Sequence, residues 1–287
     1  MKQVVTETAV SCGQSEDCGI YALAMAANDA AAQGVAQIDM RVKFLIPVPI
    51  YKEKMAGLTK AVKSVCTVRQ FELKELTGIR STISTQCLVL ATASGEVLKE
   101  PKKDAPIAPG QGIIQIGYAG LEGALLMAGE KEEAMKNRFT PAFLSRLHTD
   151  QQYLFEENMA GKLRAAPVSL IRQVKDGGIL SALYQLAEET DLGVKADLKA
   201  MPVLQESVEV CEYFRKNPYQ MTSAGTFLVI SSRVEDVLKI CREEEIPAAV
   251  IGKMTSGPDK IIQSGEEEQY INRPGTDELM NFYMGGF

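Results

Sequence analysis

Asn28 and Asp29 set an amide beside a carboxylate in the alanine-rich run from Ser15 to Gly34. Asp29 is a candidate ligand for a cation. Asn28 falls among Ala24, Ala27 and Ala31, where an unmet buried polar group costs ~1–3 kcal/mol, so it needs partners. The structural alternative is that Asn28 ties a neighbouring backbone while Asp29 faces water. Gly120-Leu-Glu122-Gly123 opens a second helical run, and Glu122 suits a metal, a ribose hydroxyl or simply the helix dipole. Asp176-Gly177-Gly178 opens a third. Its two glycines leave the first N–H groups of the helix open, which favours a phosphate or carboxylate. Lys175 and Arg172 bring positive charge close by; the alternative is an ordinary cap.

Other chemistries find little support. Gly110-Gln-Gly112-Ile-Ile-Gln-Ile-Gly117 has glycines near dinucleotide-fingerprint spacing, but it precedes a strand instead of following one. His148 is the only histidine and lies in a polar, aperiodic segment, so a nucleophile paired with His is not expected. The six cysteines are scattered without a C-x-x-C pair, which reads as reduced thiols in a cytoplasmic protein.

The elements that position these residues are legible from periodicity. Residues 15–34 read as a helix with Ser15 as N-cap, Gly34 past its end, and a narrow stripe of Ile20, Leu23, Ala24, Ala27 and Ala31. Residues 37–46 alternate strictly, which predicts a half-buried strand of an antiparallel sheet ended by Pro47. A helix is expected over 53–69, and a strand over 83–93 closed by a turn at Ser94-Gly95. The Pro- and Gly-rich stretch 99–112, with its Lys102-Lys103-Asp104 cluster, is the expected boundary between domains 1–108 and 109–287. Beyond it, strands are expected at 113–118, 226–231 and 248–254, a hairpin at 259–271, and helices at 120–134, 141–163, 177–190, 206–215, 234–245 and from Asp277. This is an α/β (α+β) chain.

Composition narrows the partners. A net charge of −6 with no basic run argues against nucleic acid. No apolar run reaches the roughly 18 residues of a membrane-spanning helix.

Taken in order, several stretches resemble the AIR synthase-related proteins, the group that includes aminoimidazole ribonucleotide synthetase, selenophosphate synthetase, thiamine-phosphate kinase and HypE. The HypE-like hydrogenase maturation branch is the most similar. The resemblance rests on Ala26-Ala-Asn28-Asp29, on Pro109 to Gly123, on Gly177-Gly178 with the helix after it, on Thr222-Ser223-Ala-Gly225, and on Pro274-Gly-Thr-Asp277-Glu-Leu279. It implies two AIR synthase-like domains. The N-terminal sheet would form a homodimer, and the C-terminal mixed sheet would carry helices. ATP would lie in a cleft, with Mg²⁺ on acidic residues. Onto this chain it carries Asn28, Asp29, Gly120, Glu122, Gly123, Lys175, Asp176, Gly177 and Gly178 as ligand- or nucleotide-binding positions, and Asp29 and Asp176 as metal ligands.

The departures fall on that chemistry. The family's Gly-Asp-Asp motif would precede the first residues of this sequence. Thr8, Arg80, Thr82, Gln111, Arg172 and Gln173 stand where the family has acids, histidine or neutral groups. Phosphoryl transfer needs metal-neutralised phosphates and an oriented nucleophile. The first expectation is therefore a nucleotide- or phosphate-binding cleft, degenerate or altered, with Arg80, Arg172 and Lys175 able to meet a phosphorylated small molecule directly. The alternative is an active ATP-dependent enzyme of the hydrogenase maturation type.

Overall fold

The computed structural model describes residues 3–97, 106–164 and 166–285. The first sheet contains β1 (Val4–Gly13), β2 (Asp39–Pro47), β3 (Glu72–Ser81) and β4 (Cys87–Glu96), in the order β1-β4-β2-β3. Its helices are α1 (Cys18–Ala32) and α2 (Tyr51–Arg69). β2 delivers its alternation as expected, with Met40, Val42, Phe44 and Ile46 fully buried and Arg41 and Lys43 exposed. It runs antiparallel to β4 but parallel to β3, so the sheet is mixed and not antiparallel throughout.

Two local expectations are corrected. Ser94 and Gly95 do not turn the chain: they lie inside β4, opposite Thr6 and Val5. Glycine is needed at 95 because a Cβ would stand 2.4 Å from both Gln37 O and Val35 Cγ1. The helix cap is Asp17 rather than Ser15, whose hydroxyl instead accepts from Asp17 N at 3.2 Å.

The second sheet has seven strands: β5 (Gly112–Ile116), β6 (Leu170–Gln173), β7 (Gly193–Asp197), β8 (Phe227–Ser231), β9 (Ala248–Thr255), β10 (Lys260–Ser264) and β11 (Glu267–Tyr270). Their order is β11-β10-β7-β9-β5-β8-β6. Between them come α3 (Leu121–Glu130), α4 (Glu132–Arg138), α5 (Pro141–Thr149), α6 (Glu157–Leu163), α7 (Gly178–Thr190), α8 (Gln205–Tyr213) and α9 (Val234–Glu243), and α10 (Glu278–Tyr283) ends the order. One face of this sheet is covered by α7, through Ile179, Leu183 and Leu186 against Ile113, Leu228 and Ile251. The other is covered by α6 and α9, through Met159, Leu163 and Val237 against Ile114, Ile116 and Phe227.

Among the described residues, the first sheet is covered on one face only. Along its other face, Cys12 on β1 lies opposite Leu88 on β4, Leu88 opposite Leu45 on β2, and Leu45 opposite Ile79 on β3. The next row sets Val10 opposite Leu90. These side chains are half-buried or exposed, with Val10 and Ile79 open to half or more of their surface.

α1 is the joint between the halves. Its small side chains let it pack on β1 and β4 on one side and on α6 and β6 on the other. It is buried all round, from Cys18 to Ala31 apart from Ile20. The Lys102-Lys103-Asp104 cluster and the first half of the expected boundary stretch lie outside the described residues.

Candidate functional site

The site is assembled where α1 meets the ends of β5, β6 and β8. Asn28 is fully buried. Its Nδ2 donates to Leu154 O at 2.8 Å and to Gln173 Oε1 at 2.9 Å, and its Oδ1 accepts from Glu156 N at 2.9 Å. It therefore ties the segment between α5 and α6 to α1. Gln173, on β6, is the hub. Its Nε2 donates to Met25 O and to Asp29 Oδ1, at 3.0 and 2.8 Å, while its Oε1 also accepts from Gly225 N at 3.2 Å.

Asp29 is not solvated. Lys175 Nζ stands 2.6 Å from its Oδ2. Burial raises the Asp29 carboxyl above the usual range; hydrogen bonding and charge from Lys175 and the bond from Gln173 oppose this, while Glu7 on β1 adds to it.

The glycine loops form the second half of the site. Glu122, in the first turn of α3, accepts at Oε2 from Thr222 Oγ1 at 2.8 Å and from Ala224 N at 2.9 Å. Burial pushes its carboxyl up to about 7, with Asp277 and Asp176 adding repulsion against the two hydrogen bonds. Gly120 N donates to Ser223 Oγ at 2.7 Å. Gly120 has φ +70°, and a Cβ there would meet Pro218 O at 2.6 Å. Gly178 has φ +66°, and a Cβ would lie 2.5 Å from Met221 N. These glycines let the loops close on one another as well as clearing a helix end.

Asp277 sits at the centre of this closure. Its Oδ2 accepts from Gly177 N at 2.6 Å and from Thr222 N at 2.9 Å, and its Oδ1 caps α10 through Leu279 N at 2.8 Å. The N–H that the sequence leaves open at Gly177 is thus met by a carboxylate from the C-terminal segment. Burial raises the Asp277 carboxyl, with hydrogen bonds from Gly177, Leu279 and Thr222 opposing.

The expected positions therefore gather in two linked groups. Asn28, Asp29 and Lys175 join through Gln173; Gly120, Glu122, Gly123, Gly177 and Gly178 join through the 221–225 loop and Asp277. Asp176 is exposed and acts on Glu122 and Asp277 through its field.

Residues at the departures serve other ends. Arg172 makes a two-pronged ion pair with Glu189 on α7. Arg80 lies over the Tyr51 ring at 5.0 Å. Gln111 bonds Ser169 Oγ and Ala108 N. Thr8 bonds Thr92 on the uncovered face of the first sheet. Arg80 and Arg172 each have a partner of their own and do not join Lys175 at the glycine loops. Sequence reasoning missed the roles of Gln173 and Asp277. The signal for Asp277 was an acid two residues before a buried Leu, which reads as a cap alone.

Mg²⁺ takes hard anionic oxygens in tight octahedral geometry. Of the two acids expected to hold it, Asp29 has both oxygens engaged, so a metal would first have to replace Lys175. Among the described residues, no three His, Cys, Asp or Glu side chains are grouped so as to hold a metal ion. No helix of the described residues is long and apolar enough to cross a membrane.

Comparison with known proteins agrees with this architecture. A provisionally named hydrogenase expression/formation protein of Methanocaldococcus jannaschii is 23% identical over 258 residues, covering 86% of this chain and 72% of that protein. Phosphoribosylformylglycinamidine synthase subunit PurL of Methanothermobacter marburgensis is 29% identical over 102 residues, 34% of this chain and only 13% of that protein's length. The solved structure of hydrogenase maturation protein HypE in complex with ATP superposes with a TM-score of 0.73 at 14% identity, covering 96% of this chain and 87% of that one. The family described as AIR synthase related protein, C-terminal domain, matches residues 108–264. With more than half of its length so matched, the chain belongs to the AIR synthase-related family.

Proposed function

We propose that this protein binds a nucleotide or another small phosphorylated molecule where α1, β6 and the glycine loops meet, and that it does not turn ATP over. The positions assigned to the ligand are Asn28, Asp29, Gly120, Glu122, Gly123, Lys175, Asp176, Gly177 and Gly178. ATP is the ligand of the HypE structure of similar fold, which supports a nucleotide here. The observation that carries the reading is the Asp29–Lys175 ion pair. A cation from the chain stands where a transferring site would need a carboxylate free for metal. Lys175 is half exposed, so it can swing from Asp29 to a phosphate.

The protein is proposed to work as a homodimer through the uncovered face of its first sheet, with domains 1–108 and 109–287. A sheet face bearing Val10, Leu45, Ile79, Leu88 and Leu90 needs cover. Calorimetry with ATP and ADP, with and without Mg²⁺, tests the binding, and phosphate release tests the turnover. Binding with no sustained release is expected. Steady release abolished by Asp29→Asn would favour an active enzyme of the hydrogenase maturation type instead.

A further inference from the structure

Residues 271–283 form an anchor, a link and a hook. Ile271 is buried in the core beneath α7. The link 272–276 then runs over the surface: only Pro274 is half-buried, and a Cβ on Gly275 would meet nothing within 4 Å. A hollow of about 270 Å³ lies beside it, lined by Tyr184, Gln185, Glu188 and Glu189 of α7 with Arg273 and Pro274. The hook follows. Asp277 is 6% exposed and holds Gly177 N and Thr222 N on a single oxygen. Leu279 and Phe282 are buried, and Phe282 meets Phe214 edge-on at 5.2 Å. Tyr283 Oη donates to Cys12 O at 2.8 Å, which carries the hook across to β1.

We propose that residues 277–283 are an autoinhibitory strap, in which the Asp277 carboxylate occupies the N–H donors of Gly177 and Thr222 that a phosphate group of the ligand takes when the strap opens. The proposal rests on the reading of this site as a phosphate- or nucleotide-binding one. Three features carry it. The two donors come from separate loops and converge on one oxygen, as they would on a phosphate oxygen. The carboxylate that fills them arrives on a surface link with a hollow beside it, and 277–283 contains no strand, so the strap opens by giving up the Leu279 and Phe282 packing and the Tyr283 bond to Cys12 while the strand pairing of both sheets stays. Asp176 and Glu122 also act on Asp277 by like-charge repulsion, which opposes the closed state. A tethered carboxylate competes at high effective concentration and lowers the apparent affinity for any free anion.

The test uses the full chain with inorganic phosphate as probe, read by amide hydrogen exchange and by titration. In the parent, phosphate should speed exchange at 279–283 by tenfold or more while Gly177 and Thr222 stay protected. Asp277→Ser, which keeps a capping oxygen for α10, should bind phosphate at least tenfold more tightly than the parent. Phosphate or ATP binding with unchanged exchange at 279–283 overturns the strap and leaves the binding reading standing. A folded Asp277→Ser that binds phosphate no more tightly also overturns it. Absence of phosphate and nucleotide binding in both proteins overturns both. Should the variant not fold, the exchange measurement on the parent decides alone.

Discussion

Lys175 Nζ and Asp29 Oδ2 stand 2.6 Å apart, and this pair joins β6's exit to the helix that fills the space between the two sheets. The carboxylate is nearly buried and the ammonium half exposed. Breaking the pair from the lysine side leaves a desolvated charge, whereas a fully exposed pair would contribute little.

Lys175→Met should therefore lower stability at pH 8 by about 1–2 kcal/mol, below the range for fully buried pairs because Lys175 is partly solvated. The Asp29 carboxyl is already raised in the fold. Without Lys175 it rises further, so the folded state binds a proton more readily than the unfolded state. Stability then increases as pH falls through the folded pKa. Denaturant melts at pH 8 and pH 5 should show part of the loss recovered at the lower pH. An equal loss at both would mean that Lys175 contributes by packing only.

Asn28→Ala should cost about 2–4 kcal/mol, because it strands Leu154 O, Glu156 N and one bond of Gln173 inside the protein. A loss below about 1 kcal/mol in urea melts, typical of a surface substitution, would show that the segment between α5 and α6 is held by other contacts.

These two residues show how far the sequence reaches. Asn28 was legible as a buried amide because helical spacing placed it among alanines. Its partners were not, since Leu154 and Gln173 lie 126 and 145 residues away. α1, α2, α7 and β2 were legible because their apolar periods are local and long. β3 was not: it is an edge strand carrying Glu72, Lys74, Glu75 and Arg80, and its buried partners lie in the parallel neighbour β2. β6 and β7, at four and five residues, are too short for a period to register. The glycines at 120 and 178 were legible as special, but their reason is the approach of Pro218 and Met221 from a distant loop.

Glu122 makes stability depend on pH near neutrality. Burial holds its carboxyl at about 7 in the fold against an ordinary value of 4.5. The folded state therefore holds the proton between those values, and stability rises as pH falls from above 7 towards 4.5. Glu122→Gln keeps an acceptor for Thr222 Oγ1 and Ala224 N and removes the charge. It should be more stable than the parent at pH 8 by roughly 1–3 kcal/mol and nearly equal to it at pH 5. Thermal melts across this range check it; a constant difference would mean the gain is not electrostatic.

Leu88→Lys should convert the protein from dimer to monomer. Leu88 stands between Cys12 and Leu45 in the row that continues to Ile79 on the uncovered face. A lysine there would place a charge in the middle of the proposed contact, where desolvation opposes association. Sedimentation at micromolar concentration should show a parent dimer and a folded monomeric variant. A parent that sediments as a monomer removes the dimer from the proposal.

Mg-ATP hydrolysis should be negligible. A transferring site neutralises charge on metal-bridged phosphate oxygens and orients the nucleophile, and losing one preorganised donor typically costs about 2.7–4 kcal/mol in the transition state. Here Asp29 is engaged by Lys175 and Gln173, Glu122 by Thr222 and Ala224, and Asp277 by Gly177, Thr222 and Leu279. Arg172 is held by Glu189, away from these loops. Asp29, Glu122 and Asp277 each bond the chain itself, so a metal would have to break existing bonds before it gained its own, and Asp176 stands exposed apart from them. The field of Glu7 reaches Asp29, but its side chain accepts from Gln33. Phosphate release measured over hours with purified protein should not exceed that of Asp29→Asn. A rate tenfold or more above the variant would show that Lys175 gives way to a metal and that the site turns ATP over.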